Sequence, residues 1–301
     1  MITRNVLITG GGGQLAWDLM NSMCPFPLEL TELPLEQLDI TKETDVERAF
    51  ATYQPHLIIN TAAYTAVDKA EEEKALAFKV NRDGAGLLAK LCKQHRLPLL
   101  HLSTDYVFDG EKKFAYLEND PVNPISVYGQ SKWGGEEVVR KQLHEHIILR
   151  VSGIFGVHGH NFVKTIIKLA EQRDSLDIVN DQTTCPTPAA DIADALLQIA
   201  NNILCSNQII NWGTYHYCSS PSVTWHDFAA VIIEEAANYQ TLTVKTLNAI
   251  TAKQLNLLAK RPGYSVLNCD KIFNEFGIAR PNWKIGLTRV IRELFCEKLP
   301  I

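Results

Sequence analysis

No apolar run in the 301-residue sequence reaches the roughly 18 residues that a membrane-spanning helix needs, so such a helix is not expected. Basic residues do not cluster. The chain has 29 Lys and Arg against 34 Asp and Glu, a net charge of −5, and nucleic acid is not an expected partner. There is no Cys-x-x-Cys pair. The seven cysteines (Cys24, Cys92, Cys185, Cys205, Cys218, Cys269 and Cys296) are scattered and odd in number, which argues against a zinc site or a disulfide framework. Reduced thiols in a cytoplasm fit that usage. No signal-peptide pattern precedes the first apolar segment, and no internal repeat or low-complexity linker is seen. A composition of 46% hydrophobic and 21% charged residues is ordinary for a soluble globular protein. The length gives room for one large domain and a smaller one.

What is present is an alternation of short apolar runs with helical patterns. Asn5-Val6-Leu7-Ile8-Thr9 predicts a buried strand, followed by Gly10-Gly11-Gly12-Gly13-Gln14-Leu15-Ala16 and a helix over Trp17-Asp18-Leu19-Met20. Strand, glycine turn and helix form the context of a dinucleotide fingerprint, read as Gly11-x-Gly13-x-x-Ala16 or Gly10-x-x-Gly13-x-x-Ala16. Glycine lets the backbone approach a pyrophosphate, and the free N–H groups of a helix N-terminus face its charge. Leu28 to Glu32 predicts a second strand. An acid at its end, Glu32, suits the ribose of NAD, and no arginine lies between Glu29 and Asp39 to receive the 2′-phosphate of NADP; this leans toward NADH. Asp39 is also placed to meet the adenine. Thr41 is expected as N-cap of a helix with its body over Thr44 to Thr52. His56 to Asn60 predicts a third strand, and the small residues after it, from Thr61 to Thr65, would let a cofactor lie across the strand ends. Asp68 to Glu73 reads as a solvated acidic helix start, and Asn81 to Gln94 as a helix with a Leu87, Leu88 and Leu91 stripe. Leu99 to Leu102 and His146 to Val151 read as further strands. The class implied is α/β, a Rossmann-type doubly wound parallel sheet.

The chemistry is carried by Ser103-Thr104-Asp105-Tyr106-Val107-Phe108-Asp109-Gly110 and by Tyr128-Gly129-Gln130-Ser131-Lys132. Residues 128 and 132 share one face if they open a helix. A tyrosine phenol titrates near 10, and an ammonium beside it stabilises the phenolate. Such a tyrosine can protonate a carbonyl oxygen as a hydride reaches its carbon. Thr104, at the C-terminal end of the Leu99 strand, stands where open parallel sheets bind ligands and can share that oxygen. Pro121 and Pro124 would stiffen the approach to Tyr128.

Together these motifs resemble the extended short-chain dehydrogenase/reductases, and within them the dTDP-4-dehydrorhamnose reductase family. The likeness runs nearly end to end, through Asp39-Ile40-Thr41, Asn60 to Glu71, Ser103 to Gly110, Tyr128 to Lys132, Asn161 to Thr165, Asp181-Gln182, Thr224 to Phe228 and Arg261 to Ser265. The resemblance implies NAD(P)H-dependent reduction of the C4 ketone of dTDP-4-dehydro-6-deoxy-L-mannose to dTDP-L-rhamnose, for cell-surface polysaccharide. It makes Tyr128 the proton donor, Lys132 the ligand of the nicotinamide ribose and Thr104 the orienter of the keto oxygen. Gly10, Gly13, Gln14, Leu15, Asp39, Ile40, Ala62, Ala63 and Thr65 fall at family cofactor positions. Asp105, Gly153, Asn161, Gln182 and Arg261 fall at the sugar nucleotide, with Arg261 suited to the diphosphate. The implied domains are discontinuous. Residues 1–152 with about 180–218 form the dinucleotide domain, re-entering the sheet over Asn207 to Trp212. Residues of about 153–179 and 219–301 form a smaller α/β substrate-binding domain. A homodimer is left open.

Two departures stand out. The family often has Arg-Thr-Ser-Trp-Val-Tyr-Gly where this chain has Arg150-Val151-Ser152-Gly153-Ile154-Phe155-Gly156. Gly153 offers no aromatic face, so either the wall is more open or Phe155 or Tyr106 supplies the contact. Magnesium is associated with some members, yet no carboxylate cluster has ligand spacing, and His158-Gly159-His160 reads as a mobile loop with solvated histidines. The alternative functions are a reductase of a related dTDP-4-keto sugar, of dihydrostreptose-synthase type, and a non-catalytic dinucleotide-binding subunit.

Overall fold

The structure, a computed structural model, describes residues 3–206 and 209–296. In chain order the elements are β1 (Arg4–Thr9), α1 (Gln14–Asn21), β2 (Leu28–Leu33), α2 (Glu43–Tyr53), β3 (Leu57–Asn60), α3 (Val67–Glu72), α4 (Ala85–His95), β4 (Leu99–Thr104), α5 (Val127–Gln142), β5 (His146–Val151), α6 (Phe162–Gln172), β6 (Ser175–Val179), α7 (Ala189–Cys205), β7 (Gly213–Tyr217), α8 (Trp225–Ala236), β8 (Thr246–Ile250), α9 (Asp270–Phe276) and α10 (Trp283–Cys296). Six strands pair in the order β7-β5-β4-β3-β1-β2, every neighbour parallel. The order reverses between β1 and β3, and that switch point is where an open parallel sheet opens a crevice at its strand ends.

Alternation along the strands explains the two layers. Val6 and Ile8 of β1 pack with Leu57, Ile59, Ile147 and Leu149 against α1 and α7, whereas Leu7, Ile58 and Ile148 face α2, α4 and α5. Successive strand residues point to opposite faces, so a sheet covered on both sides reads as a continuous apolar run. A second core gathers Ile166, Leu176, Phe228, Ile232, Trp283 and Ile291, from α6, β6, α8 and α10, around Phe155 of the short strand Ile154–Phe155. The stretch from Val266 to Ile278 packs instead with the first core, beside β7.

Several local expectations are corrected. The sixth strand is not Asn207 to Trp212 but Gly213–Tyr217. Asn207 and Gln208 lie outside the described residues, and Ile209 is 91% exposed, so its apolar side chain does not belong to a core strand. Helix α2 has Lys42, not Thr41, at its N-cap; the Thr41 hydroxyl and N–H both donate to Asp39 Oδ1, at 2.8 and 2.9 Å. The helix expected from Asn81 begins earlier, as a regular α-helix over Lys74–Phe78, passes through a π-helical turn over Lys79–Gly84 and is regular again in α4. The acidic start of α3 is not simply solvated: Glu71 accepts from Val127 N–H at 2.9 Å, and Asp68 is ion-paired to Arg261. Three of the scattered cysteines converge. Cys218 Sγ is 3.8 Å from Cys269 Sγ, and the Arg280 guanidinium touches both Cys185 and Cys218, all as free thiols.

Candidate active site

A cleft of about 780 Å³ runs along the strand ends. Its inner end is the glycine turn. Gly10 has φ +75°, and a Cβ there would meet Ala62 N at 2.7 Å; a Cβ on Gly11 would meet the Leu33–Pro34 backbone at 2.7 Å. These backbones therefore pack closely only because side chains are missing. Gly13 caps α1 with no side-chain bond, which leaves the first N–H groups of the helix free toward the cleft. Free N–H groups at a helix start are the donor set that a pyrophosphate requires. Gly10, Gly13, Gln14, Leu15, Ala62, Ala63 and Thr65 all line this end, so the residues present fit a dinucleotide. Asp39 and Ile40 are not brought to the cleft wall: Asp39 holds Thr41, and Ile40 packs against Gly84. Glu32 stands closer, its Oε2 accepting from Gly12 N–H at 3.2 Å.

The middle of the cleft holds Thr104, Asp105, Tyr128 and Lys132. Ser126 caps α5 by accepting from Gly129 N–H at 3.2 Å, which starts the helix one residue before Tyr128 and sets Lys132 one turn on. Asn81 fixes that turn from behind: it donates to Ser131 Oγ at 2.9 Å and accepts from Tyr64 N–H at 2.8 Å. The spacing of residues 128 and 132 predicts a phenol depressed by the ammonium. The structure differs. Burial pushes the Tyr128 phenol up to about 12, against the pull of a hydrogen bond with Thr104. Lys132 Nζ donates to Leu102 O at 2.6 Å, and burial brings its ammonium down to about 8, with Glu136 opposing. In a closed site, loss of water outweighs the neighbour. Asp105 is likewise pushed up to about 6 by burial, although Ser152 and Thr104 donate to it at 2.8 and 3.1 Å.

Beneath these groups lies a buried ion network. Glu136, one turn beyond Lys132, accepts from Arg150 Nε at 2.9 Å and Nη2 at 2.7 Å, from Ser103 Oγ at 2.5 Å and from Arg140. It fixes the end of β4 against α5, and thus Thr104 against Tyr128.

The outer end is lined by Gly153, Asn161, Gln182 and Arg261, together with apolar residues that the sequence did not single out for the site: Phe162, Trp225, Ile178, Val179, Leu255 and Leu257. The rings of Phe162 and Trp225 are 4.6 Å apart, brought together from the first turns of α6 and α8. Asn161 caps α6 through its Oδ1 and donates to Gln14 Oε1 at 3.0 Å and Gly156 O at 2.8 Å, so its side chain joins the two ends of the cleft. His158 is not a free histidine: it stacks on Trp17 and its Nε2 donates to Gly12 O at 3.0 Å, clamping the glycine turn. Gly153 has φ +55°, and a Cβ there would stand 3.1 Å from Cys185 O and Pro186 Cα. The glycine serves a left-handed turn. Of the two rings suggested as substitutes, Tyr106 lines the cleft and Phe155 does not, being fully buried in the second core. Among the described residues, no group of three or more His, Cys, Asp and Glu side chains is placed to hold a metal ion, and no helix is long and apolar enough to cross a membrane.

A parallel sheet with a glycine turn at its switch point and a Tyr–Lys pair at the end of its fourth strand defines an extended short-chain dehydrogenase/reductase. Comparison with known proteins narrows the class. A family model described as RmlD substrate binding domain matches residues 4–296. A dTDP-4-dehydrorhamnose reductase of Aggregatibacter actinomycetemcomitans is 42% identical, covering 95% of this chain and 97% of the relative. The spore coat polysaccharide biosynthesis protein SpsK of Bacillus subtilis is 33% identical over 96% and 97%. Among solved structures, a dTDP-4-dehydrorhamnose reductase of Clostridium acetobutylicum superposes with a TM-score of 0.88 at 35% identity, covering 96% of this chain and 99% of that one. One from Bacillus anthracis, in complex with NADP, gives 0.87 at 34%, covering 97% and 100%. The chain belongs to the dTDP-4-dehydrorhamnose reductase family.

Proposed function

We propose that this chain reduces the C4 ketone of dTDP-4-dehydro-6-deoxy-L-mannose to dTDP-L-rhamnose. The observation that carries this reading is a single cleft lined by the glycine turn, by Thr104, Tyr128 and Lys132, and by Asn161, Gln182 and Arg261. A reduced nicotinamide dinucleotide held by the glycine turn and Lys132 would supply the hydride for the carbonyl carbon. Tyr128 retains its proton at neutral pH, because burial holds the phenol near 12, and gives it to the carbonyl oxygen as charge develops there. Thr104, beside Tyr128 in the cleft, orients that oxygen. Lys132, with one N–H on Leu102 O, has further donors for the nicotinamide ribose.

Asp105 and Gln182 face the sugar, Arg261 takes the diphosphate, and the Phe162 and Trp225 rings wall the base. Asn161 fixes the sugar end to Gln14 and the cofactor turn. Residues 1–152 with about 180–218 form the dinucleotide domain, and about 153–179 and 219–301 the substrate domain, with Val266 to Ile278 packed back on the first core. NADH serves at least as well as NADPH, since the Glu32 carboxylate lies at the glycine turn where a 2′-phosphate would be repelled. Free cysteines and a nucleotide-sugar substrate suit the cytoplasm. Association into a homodimer is tested by sedimentation.

The test is oxidation of NADH and NADPH on addition of a panel of dTDP-4-keto sugars, with the product identified by NMR. Rhamnose from the 6-deoxy-L-mannose precursor supports the reading, and turnover of none of the sugars refutes it. A related dTDP-4-keto sugar is the second reading, because Gly153 places no side chain on the wall where the family often has tryptophan.

A further inference from the structure

One chain of polar contacts crosses the cleft mouth and joins the two halves of the molecule. Arg261 lies in the segment between β8 and α9 and lines the cleft. Its Nη2 donates to Asp68 Oδ2 at 2.6 Å and its Nη1 to Asp68 Oδ1 at 3.3 Å, a fork laid on the carboxylate at the first turn of α3. The same Nη1 donates to Ala259 O at 3.1 Å, while Ala259 N–H donates to Asp68 Oδ1 at 3.2 Å. Asp68 therefore holds both the guanidinium and the backbone that carries it. Just beyond Arg261, Gly263 O accepts from Thr183 N–H at 2.8 Å and Ser265 N–H donates to Thr183 O at 2.9 Å, so the segment is tied down on its far side as well. The guanidinium also lies beside the side chain of Tyr106. The Tyr106 ring stands edge-on to that of Tyr128, centroids 5.9 Å apart.

A carboxylate that meets a guanidinium at two points fixes the plane of the fork. An arginine already held in one plane loses less freedom when an anion arrives than one on a loose stem. Both Asp68 oxygens are turned onto Arg261 and the Ala259 N–H, and the remaining guanidinium donors are left for a ligand in the cleft.

We propose that Asp68 is a positioning residue, which acts through Arg261 to hold the guanidinium over the cleft for the diphosphate of the substrate. The inference rests on the assignment of Arg261 to the diphosphate.

The test compares wild type, Asp68→Ala, Arg261→Ala and the double variant. Three quantities are read: the inhibition constant of dTDP, KM and kcat for the dTDP-4-keto sugar, and KM for the dinucleotide. Asp68→Ala is expected to raise the dTDP inhibition constant and the sugar-nucleotide KM about tenfold, the scale of one charge-assisted hydrogen bond. Its kcat and dinucleotide KM should stay near wild type. The double variant should bind dTDP no more weakly than Arg261→Ala alone, because Asp68 has no route except through Arg261. Additive losses in the double variant overturn the proposal. So does a dinucleotide KM that rises in parallel, which would mark a general loosening of the fold. If Arg261→Ala weakens dTDP binding and Asp68→Ala does not, the positioning role is wrong and the diphosphate assignment stands. If Arg261→Ala leaves dTDP binding unchanged, that assignment has failed and the positioning role falls with it.

Discussion

Replacing Gly153 by alanine separates two accounts of the cleft wall, one in which the backbone needs glycine and one in which the site is merely open. The residue has φ +55°, a region that costs an L-residue roughly 1–2 kcal/mol. The added Cβ would stand 3.1 Å from both Cys185 O and Pro186 Cα. Those atoms are backbone, and Thr187 N–H donates back to Gly153 O at 3.0 Å, so the neighbouring segment has little freedom to withdraw. Together the two effects amount to about 2 kcal/mol. At an unfolding entropy of about 2.1 cal/mol/K per residue, a 301-residue chain loses about 1.6 °C of Tm per kcal/mol, so a drop of about 3 °C is expected in thermal unfolding. Gly153→Asn should recover part of that loss, because a short amide visits the left-handed region more readily. Gly153→Trp carries the same backbone cost, and its kcat/KM for dTDP-4-dehydrorhamnose should fall. Two results would refute the reasoning: Gly153→Ala melting within a degree of wild type, or Gly153→Trp with normal melting and a higher kcat/KM.

Tyr128→Phe should lower kcat by a factor on the order of 10²–10⁴ while dinucleotide binding, followed by fluorescence, changes little. Burial pushes the Asp105 carboxyl up to about 6 from 3.8, so the folded chain holds that proton more tightly than the unfolded one. Its stabilising contribution is full below about pH 4 and is lost as pH rises through 6, on the order of 3 kcal/mol. Asp105→Asn should therefore gain stability relative to wild type between pH 4 and 7.5, read as Tm against pH. Glu136→Gln strips the charge partner from Arg150, which is 1% exposed, and should cost about 3–5 kcal/mol in urea unfolding. In steady-state kinetics NADH should match or exceed NADPH; a strong preference for NADPH would place the ribose end away from Glu32.

Strands β1, β4 and β5 were legible as apolar runs because both faces of a parallel sheet are covered. The Tyr128–Lys132 pair was legible because it is local, one helical turn long. What depends on distant residues was not. Asp68 reads as a solvated helix start until Arg261, 193 residues away, is seen to meet it. Phe162 and Trp225 look like ordinary apolar positions at helix starts, and only the fold brings their rings together. Ile209 and Ile210 advertise a strand more loudly than Gly213-Thr214-Tyr215-His216-Tyr217, which pairs because Tyr215 and His216 find buried partners in Phe276, Arg150 and Tyr116. The Tyr128–Lys132 spacing reveals a neighbouring charge and not the exclusion of water, and it is the exclusion of water that sets the direction of the Tyr128 shift.

The sixth strand of the sheet, β7, arrives only after α6, β6 and α7 have intervened. During synthesis at roughly 5–20 residues per second, β5 leaves the ribosome several seconds before its outer neighbour exists. For that interval it offers an unpaired row of backbone N–H and C=O groups flanked by Ile147, Ile148 and Leu149, the type of edge that recruits a second chain. A chain that stops short of Gly213 would keep that edge permanently. The vulnerable moment of this protein is therefore one of timing, when the growing chain has a complete glycine turn and Tyr–Lys pair but no sixth strand to close the sheet.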